Sequence, residues 1–329
     1  MARTRLLRLA AYSVFALMWL PLACRAQASG SAQTGQDAES YHRLGMAQAD
    51  EGRDGEAVKN LQKALAIRPD FVLAYNDLGY VHHKSRNFEE AVKAYLEAIR
   101  LKSDYAIAHN NLGMAYSALG RYEEATASFK RAISLRSDYA AAYYNLGATL
   151  YKAGQSRAAV DAFKQSILLK ADNPEAHHNL GVAYSDLGHF EEAVRAFRNA
   201  LRLQPNFVPA HRSLGLAYHK LGATEEAIAA YERAISLNQN DAESFNNLGV
   251  VYAGARLYKE AITAYRQAIR LNPQYYEAHF NLGAAYLSVN KKDEAIKQYA
   301  LLKTGNTVFA DDLYRLLYQD QLLILTYKE

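Results

Sequence analysis

Asn111, Asn145, Asn179, Asn247 and Asn281 stand at one phase of a 34-residue period, and Asp77 and Ser213 hold the same phase in two further copies. An asparagine side chain offers both a donor and an acceptor, the pair that a peptide backbone presents. A column of amides spaced by one repeat can therefore clamp an extended chain through its main-chain groups. The same column can instead brace neighbouring elements of the array. Asn76, Asn110 and Asn246 add a second amide one position earlier. Other chemistry is hard to find. The chain holds no P-loop, no glycine-rich dinucleotide turn, no His-Glu-x-x-His and no nucleophile elbow, so it lacks the usual catalytic signatures. His109, His177, His211 and His279 share a phase with Tyr41, Tyr75, Tyr143 and Phe245, which is the pattern of a packing position. The adjacent pairs His82-His83 and His177-His178 point to different sides of a helix and lack metal-ligand spacing. No catalytic residue, cofactor or metal is expected.

The elements that carry these residues are written in small side chains. Gly45, Gly79, Gly113, Gly147, Gly181, Gly215, Gly249 and Gly283 recur every 34 residues, each after a leucine, and an alanine follows twelve residues on in all eight copies. A fixed period of this length marks a stacked array of one supersecondary unit. Within a copy, Leu112, Ala115, Tyr116 and Leu119, then Ala125, Phe129, Ala132 and Ile133, fall at helical spacing. Each copy is thus a pair of amphipathic helices, broken at turns such as Gly120, Gly154, Gly188 and Gly222. Asp70, Asp104, Asp138 and Asn206 precede the next helix, where a side-chain oxygen can cap it. Large residues sixteen after the glycine, among them Tyr95, Phe129, Phe163, Phe197, Tyr231 and Tyr265, match the small ones. Small beside large at constant spacing is a packing code.

Leu-Gly, an aromatic three residues on, Ala twelve on, an aromatic sixteen on and Ala nineteen on resemble the tetratricopeptide repeat, over residues 38–307. The resemblance implies an all-α fold, a right-handed superhelical α-solenoid of eight 34-residue helix-turn-helix repeats whose first helices line an inner groove. The Asn111, Asn145, Asn179, Asn247 and Asn281 column is similar to the asparagine ladder in the repeat domain of the O-linked N-acetylglucosamine transferases. Asp77 and Ser213 break it. On that reading the groove is formed by Asn76, Asp77, Asn110, Asn111, Tyr144, Asn145, Tyr151, His178, Asn179, Arg212, Asn246, Asn247 and Asn281. Tyr80, Met114, Val182, Leu216, Val250 and Phe280 join them, with Lys84, Lys152, Asp186 and Lys220 nearby. Aromatics beside amides suit a peptide or an unstructured segment, and would also suit a sugar. No cluster of Lys and Arg matches the dicarboxylate clamp used for acidic C-terminal tails, since Asn110, Met114 and Tyr144 hold those places.

The ends are of another kind. Residues 1–28 join a basic start (Arg3, Arg5, Arg8) to the apolar run Leu9–Leu22 and the small residues Ala26 and Ala28, the pattern of a secretory signal peptide. Lipoprotein processing at Cys24 and an uncleaved anchor are alternatives, and they are the only membrane association foreseen. Residues 1–28 hold four arginines and no acid, so cleavage leaves a chain of zero formal charge with no cysteine. A neutral chain argues against a general nucleic-acid binder. Residues 29–37 read as a flexible linker. Residues 308–329 read as a C-terminal capping helix, with Leu317 in the glycine's place and an apolar finish, Leu322–Tyr327. That tail either folds back or offers an edge for self-association.

The function expected is a non-enzymatic scaffold, exported to the periplasm or secreted, holding a protein or peptide partner in its groove. Two alternatives are a structural subunit of an export, pilus or polysaccharide-secretion assembly, and the recruiting partner of a separate glycosyltransferase.

Overall fold

The computed structural model describes residues 37–319. Residues 1–36 and 320–329, and with them the signal-peptide, cleavage-site and apolar-tail readings, lie outside the described residues. The chain divides into two compact units, Met1–Ala153 and Gly154–Glu329. Among the described residues every regular element is a helix.

The first unit holds α1 (37–50), α2 (Asp54–Ile67), α3 (Val72–Lys84), α4 (Phe88–Leu101), α5 (Ala106–Ala118), α6 (Tyr122–Leu135) and α7 (Ala140–Lys152). The second holds α8 (Ser156–Leu169), α9 (Pro174–Asp186), α10 (Phe190–Leu203), α11 (Val208–Lys220), α12 (Thr224–Leu237), α13 (Ala242–Gly254), α14 (Tyr258–Leu271), α15 (Tyr276–Ser288), α16 (Lys292–Gly305) and α17 (Thr307–Tyr314), closed by a π turn, Arg315–Gln319. In both, each helix packs on its sequence neighbour, and successive first helices also touch: α5 meets α3 and α7, and α13 meets α11 and α15. Each unit is a stretch of all-α solenoid built from helical hairpins.

The small-beside-large code is the core. Ala57, Ala91, Ala125, Ala193, Ala227, Ala261 and Ala295 are fully buried. A Cβ on Gly79 would lie 2.6 Å from Tyr95 Cε1, and one on Gly181 2.5 Å from Phe197 Cε1. Tyr95, Phe129, Phe197, Tyr231 and Tyr265 each lie over the glycine sixteen residues earlier in their own hairpin, a contact closed to any larger residue. Burying such a ring contributes about 2–3 kcal/mol. The ends use other partners: Leu61 covers Gly45, and Gly283 is covered by Leu313 from α17.

The turn inside each hairpin needs a left-handed residue. Gly52, Gly120, Gly154, Gly188 and Gly222 supply it at φ of 73° to 77°, while Arg86, Arg256 and Asn290 adopt it at about 60° without that freedom.

The capping expectation is corrected. Asp70, Asp104, Asp138 and Asn206 lie one residue too early, and the N-cap positions are Phe71, Tyr105, Tyr139 and Phe207, none with a side-chain cap bond. In the first unit these aromatics do another job. Arg68 stacks over Phe71 at 3.4 Å and Arg136 over Tyr139 at 3.8 Å, pinning the end of one hairpin to the start of the next by cation–π contact. Where the aromatic is replaced, side-chain caps appear: Asn173 accepts from the Ala176 amide at 3.0 Å, and Asp241 from that of Ser244 at 3.3 Å.

Candidate functional site

The asparagine column is threaded into a hydrogen-bonded chain that crosses four helices of the first unit. Asn145 Nδ2 donates to Asn110 Oδ1 at 3.0 Å, and Asn110 Nδ2 donates to Asn111 Oδ1 at 3.3 Å. Asn111 Nδ2 continues to Asn76 Oδ1 at 3.1 Å, and Asn76 Nδ2 to Asp77 Oδ1 at 3.1 Å. His42 meets the other Asp77 oxygen at 2.7 Å. The donors all run toward α1 and end on a carboxylate, which only accepts. Asp77, the residue that breaks the asparagine run, is the terminal acceptor that such a chain requires.

The second unit repeats the joint with varied chemistry. Asn281 Nδ2 donates to Asn246 Oδ1 at 3.0 Å, Asn246 donates to Asn247 at 3.5 Å and to Glu277 at 3.3 Å, and His178 meets Ser213 Oγ at 3.2 Å. Burial lowers the His178 imidazole, and its ring sits among Phe197 and Phe207 at 5.6 and 5.2 Å. Arg212 turns to carboxylates, pairing with Asp241 at 3.3 Å and Glu243 at 2.9 Å. Burial, followed by Glu277 and Glu243, raises the neighbouring Tyr275 phenol to about 12.

Within each pair one member is covered and one reachable. Asn76, Asn110 and Asn246 are buried, whereas Asp77, Asn111, Asn145, Asn179, Asn247 and Asn281 are half-buried. Tyr144 is half-buried and Tyr151 exposed. The column braces successive first helices, and the half-buried amides still reach the surface of that face.

Beside the column in the first unit lies a strip of exposed apolar side chains: Leu73 and Tyr80 on α3, Ile107 and Met114 on α5, and Tyr151 on α7. Where the strip passes Met114 it borders a depression of about 250 Å³ between α5 and α7, with His83 from α3 at its edge. Thr149 donates to Ser117 Oγ at 3.0 Å inside it, and Asn145 and Lys152 complete its polar lining. Sequence reading found Tyr80, Met114, Asn145 and Lys152 but passed over Leu73, His83, Ser117 and Thr149. His83 and Ser117 share the offset of Tyr151, four after the repeat glycine, and Leu73 shares that of Ile107, six before it, whereas Thr149, two after, is buried and carries no such signal. In the second unit the place of Leu73 and Ile107 is taken by Glu175, Glu243 and Glu277, and Phe280 stacks on Phe309 of α17 at 5.7 Å.

The four seam histidines do more than fill space. His109, His177, His211 and His279 each place Nε2 2.8 to 3.1 Å from the carbonyl six residues earlier, in the turn between hairpins. Among the described residues no group of three or more His, Cys, Asp and Glu could hold a metal ion, and no helix is long and apolar enough to cross a membrane.

No curated protein matches the chain significantly. Among solved structures, the C-terminal part of a TPR repeat-containing protein from Cytophaga hutchinsonii aligns with a TM-score of 0.61 at 18% identity, over 73% of this chain and 99% of that one. The Cut9–Hcn1 hetero-tetramer of the APC/C aligns with a TM-score of 0.56 at 19% identity, over 80% and 52%. YrrB, described as a TPR protein with an unusual peptide-binding site, aligns with a TM-score of 0.51 at 24% identity, over 57% and 96%. These likenesses are of fold. The family profile described as TPR repeat matches residues 45–85, 87–120, 115–154, 149–188 and 258–290, and those described as tetratricopeptide repeat match 178–242 and 230–263. With more than half of its length matched, the chain belongs to the tetratricopeptide-repeat family.

Proposed function

We propose that the protein is a non-enzymatic scaffold that holds an extended segment of a partner protein along the first-helix face of its first unit. The observation that carries this reading is the strip Leu73, Tyr80, Ile107, Met114 and Tyr151, exposed beside the half-buried amides Asn111 and Asn145. Apolar side chains in a row suit alternate side chains of an extended segment, and the amides suit its backbone. Family membership supports the reading, as do the peptide-binding site named for YrrB and the multi-subunit assembly named for Cut9–Hcn1. Selection of a displayed library of random peptides on the wild-type protein should enrich apolar extended sequences. Replacing Tyr80 and Met114 together by Ser should abolish that enrichment with the helical far-UV signal unchanged. Equal enrichment on both proteins would sink the proposal.

Export belongs to the same reading. Residues 1–28 carry the basic start, apolar run and small residues of a secretory signal, and cleavage after Ala28 is proposed over lipidation at Cys24. Intact mass of the protein recovered from the cell envelope decides between a chain starting at Ser29 and one bearing a lipid on Cys24.

A second reading, as a subunit of a larger assembly, rests on Leu301, Val308, Tyr314, Leu316 and Tyr318, which are all exposed at the end of the second unit. Replacing Val308 and Leu316 together by Ser should lower the oligomer mass if this end self-associates, and leave it unchanged otherwise.

A further inference from the structure

The depression between α5 and α7 differs from the strip beside it in chemistry. Its polar groups point to a single kind of ligand. Ser117 Oγ accepts from Thr149 and keeps its own O–H to donate. Asn145 Nδ2 gives one hydrogen to Asn110 and keeps the second. Lys152 brings three donors and no acceptor. Burial lowers the His83 imidazole, leaving it neutral at pH 7, so the Lys152 ammonium is the one charge in the lining. Asp186, which holds the phase of Lys152 one repeat later, has its carboxylate engaged by Ser156. A site rich in donors, with one positive charge and an apolar neighbour, complements a group that is singly negative and only accepts.

We infer that the first unit selects partner segments carrying an aspartate or glutamate side chain a few residues from an apolar anchor, with the anchor on Met114 and the carboxylate at Lys152, Ser117 and Asn145. Adjacent helices pack about 8–10 Å apart and an extended chain rises about 3.3 Å per residue. The carboxylate therefore falls about two or three residues beyond the anchor. The arrangement differs from a clamp for a free C-terminus. Asn110, Met114 and Tyr144 occupy the positions such a clamp needs for basic residues, and Lys152 lies a full turn further along its helix. The inference rests on the scaffold reading above and adds the chemical class of the partner.

The test is a library of random peptides displayed with both ends fused, so that no free terminal carboxylate is present, selected on wild type, Lys152→Gln and Lys152→Glu. On wild type, Asp or Glu should enrich at a constant offset from an apolar residue. Lys152→Gln should lose that preference, and Lys152→Glu should exchange it for Lys or Arg. For the best selected peptide, changing the acid to its amide should weaken binding by about two- to fivefold at low salt, and less at high salt. Enrichment of apolar peptides with no acidic preference, or the same preference on Lys152→Glu, would overturn this inference and leave the scaffold reading standing. Enrichment of no peptide on wild type would overturn both. Lys152 is exposed at the end of α7, so its variants fold, and an unchanged far-UV spectrum verifies this.

Discussion

Asn145 donates to Asn110 across two successive first helices, and Asn110 passes the bond to Asn111 and so to the next helix. Asn110 is thus a buried hub with both ends of its amide engaged. Asn110→Ala should destabilise the first unit by about 1–3 kcal/mol, since it strands two partners. Asn145→Ala should cost about 1 kcal/mol, because water can reach its site. A double-mutant cycle in urea should give a coupling energy near 1 kcal/mol; additive losses would mean that the bond does not brace the helices.

Gly79 of the repeat lattice and Gly55 outside it should respond to alanine with opposite sign. A Cβ on Gly79 meets the buried ring of Tyr95, so Gly79→Ala overpacks the hairpin and should cost about 1–2 kcal/mol even after its gain in helix propensity. Nothing lies within 4 Å of a Cβ on Gly55 in α2, so Gly55→Ala should stabilise by about 0.5–1 kcal/mol. Thermal melts of the two variants check the pair.

How far this was legible in sequence depends on the range of each contact. Gly79 and Tyr95 belong to one hairpin, so a constant offset of sixteen residues announced their contact. The bond from Asn145 to Asn110 joins different repeats, and its register of 35 residues is set by how hairpins stack. The residue types along that register also change: His42 with Asp77, Asn76 with Asn111 and His178 with Ser213 serve one joint with three chemistries. A search for repeated asparagine sees only part of it. Caps were misplaced because Asp70 and Asp104 look like N-caps, whereas an aromatic held by a cation takes that position.

Arg86 and Arg256 hold the left-handed turn that glycine holds in most copies. Both are exposed, so replacement removes strain and little packing. Arg86→Gly and Arg256→Gly should each stabilise by up to about 1 kcal/mol, read as a higher urea midpoint. The same change at an exposed helical arginine such as Arg195 should destabilise by about 1 kcal/mol.

Leu313 should act as the keystone of the last hairpin. It is fully buried and fills the space over Gly283 that an aromatic fills elsewhere. Leu313→Ala should cost about 2–5 kcal/mol. Hydrogen exchange should rise in α15 and α16 and stay unchanged in the first unit, as stacked repeats lose stability locally. A uniform rise would contradict that placement.

Stability should fall on acidification through the histidines. Burial lowers His82, His83, His178, His211 and His219 below the ordinary value of 6.5. Below that value the unfolded chain binds protons that the folded chain refuses. Their contribution is therefore complete above about pH 7 and is lost as pH drops through 6.5 toward the folded values, by at most about 1.4 kcal/mol per pH unit for each proton. His178→Phe keeps a ring among Phe197 and Phe207 but removes one titrating group and the contact with Ser213. It should be less stable than wild type at pH 8 by about 1 kcal/mol and should lose less between pH 7 and pH 5. Parallel curves for the two proteins over that interval would show that His178 is protonated as readily folded as unfolded, which its setting between two phenylalanines opposes.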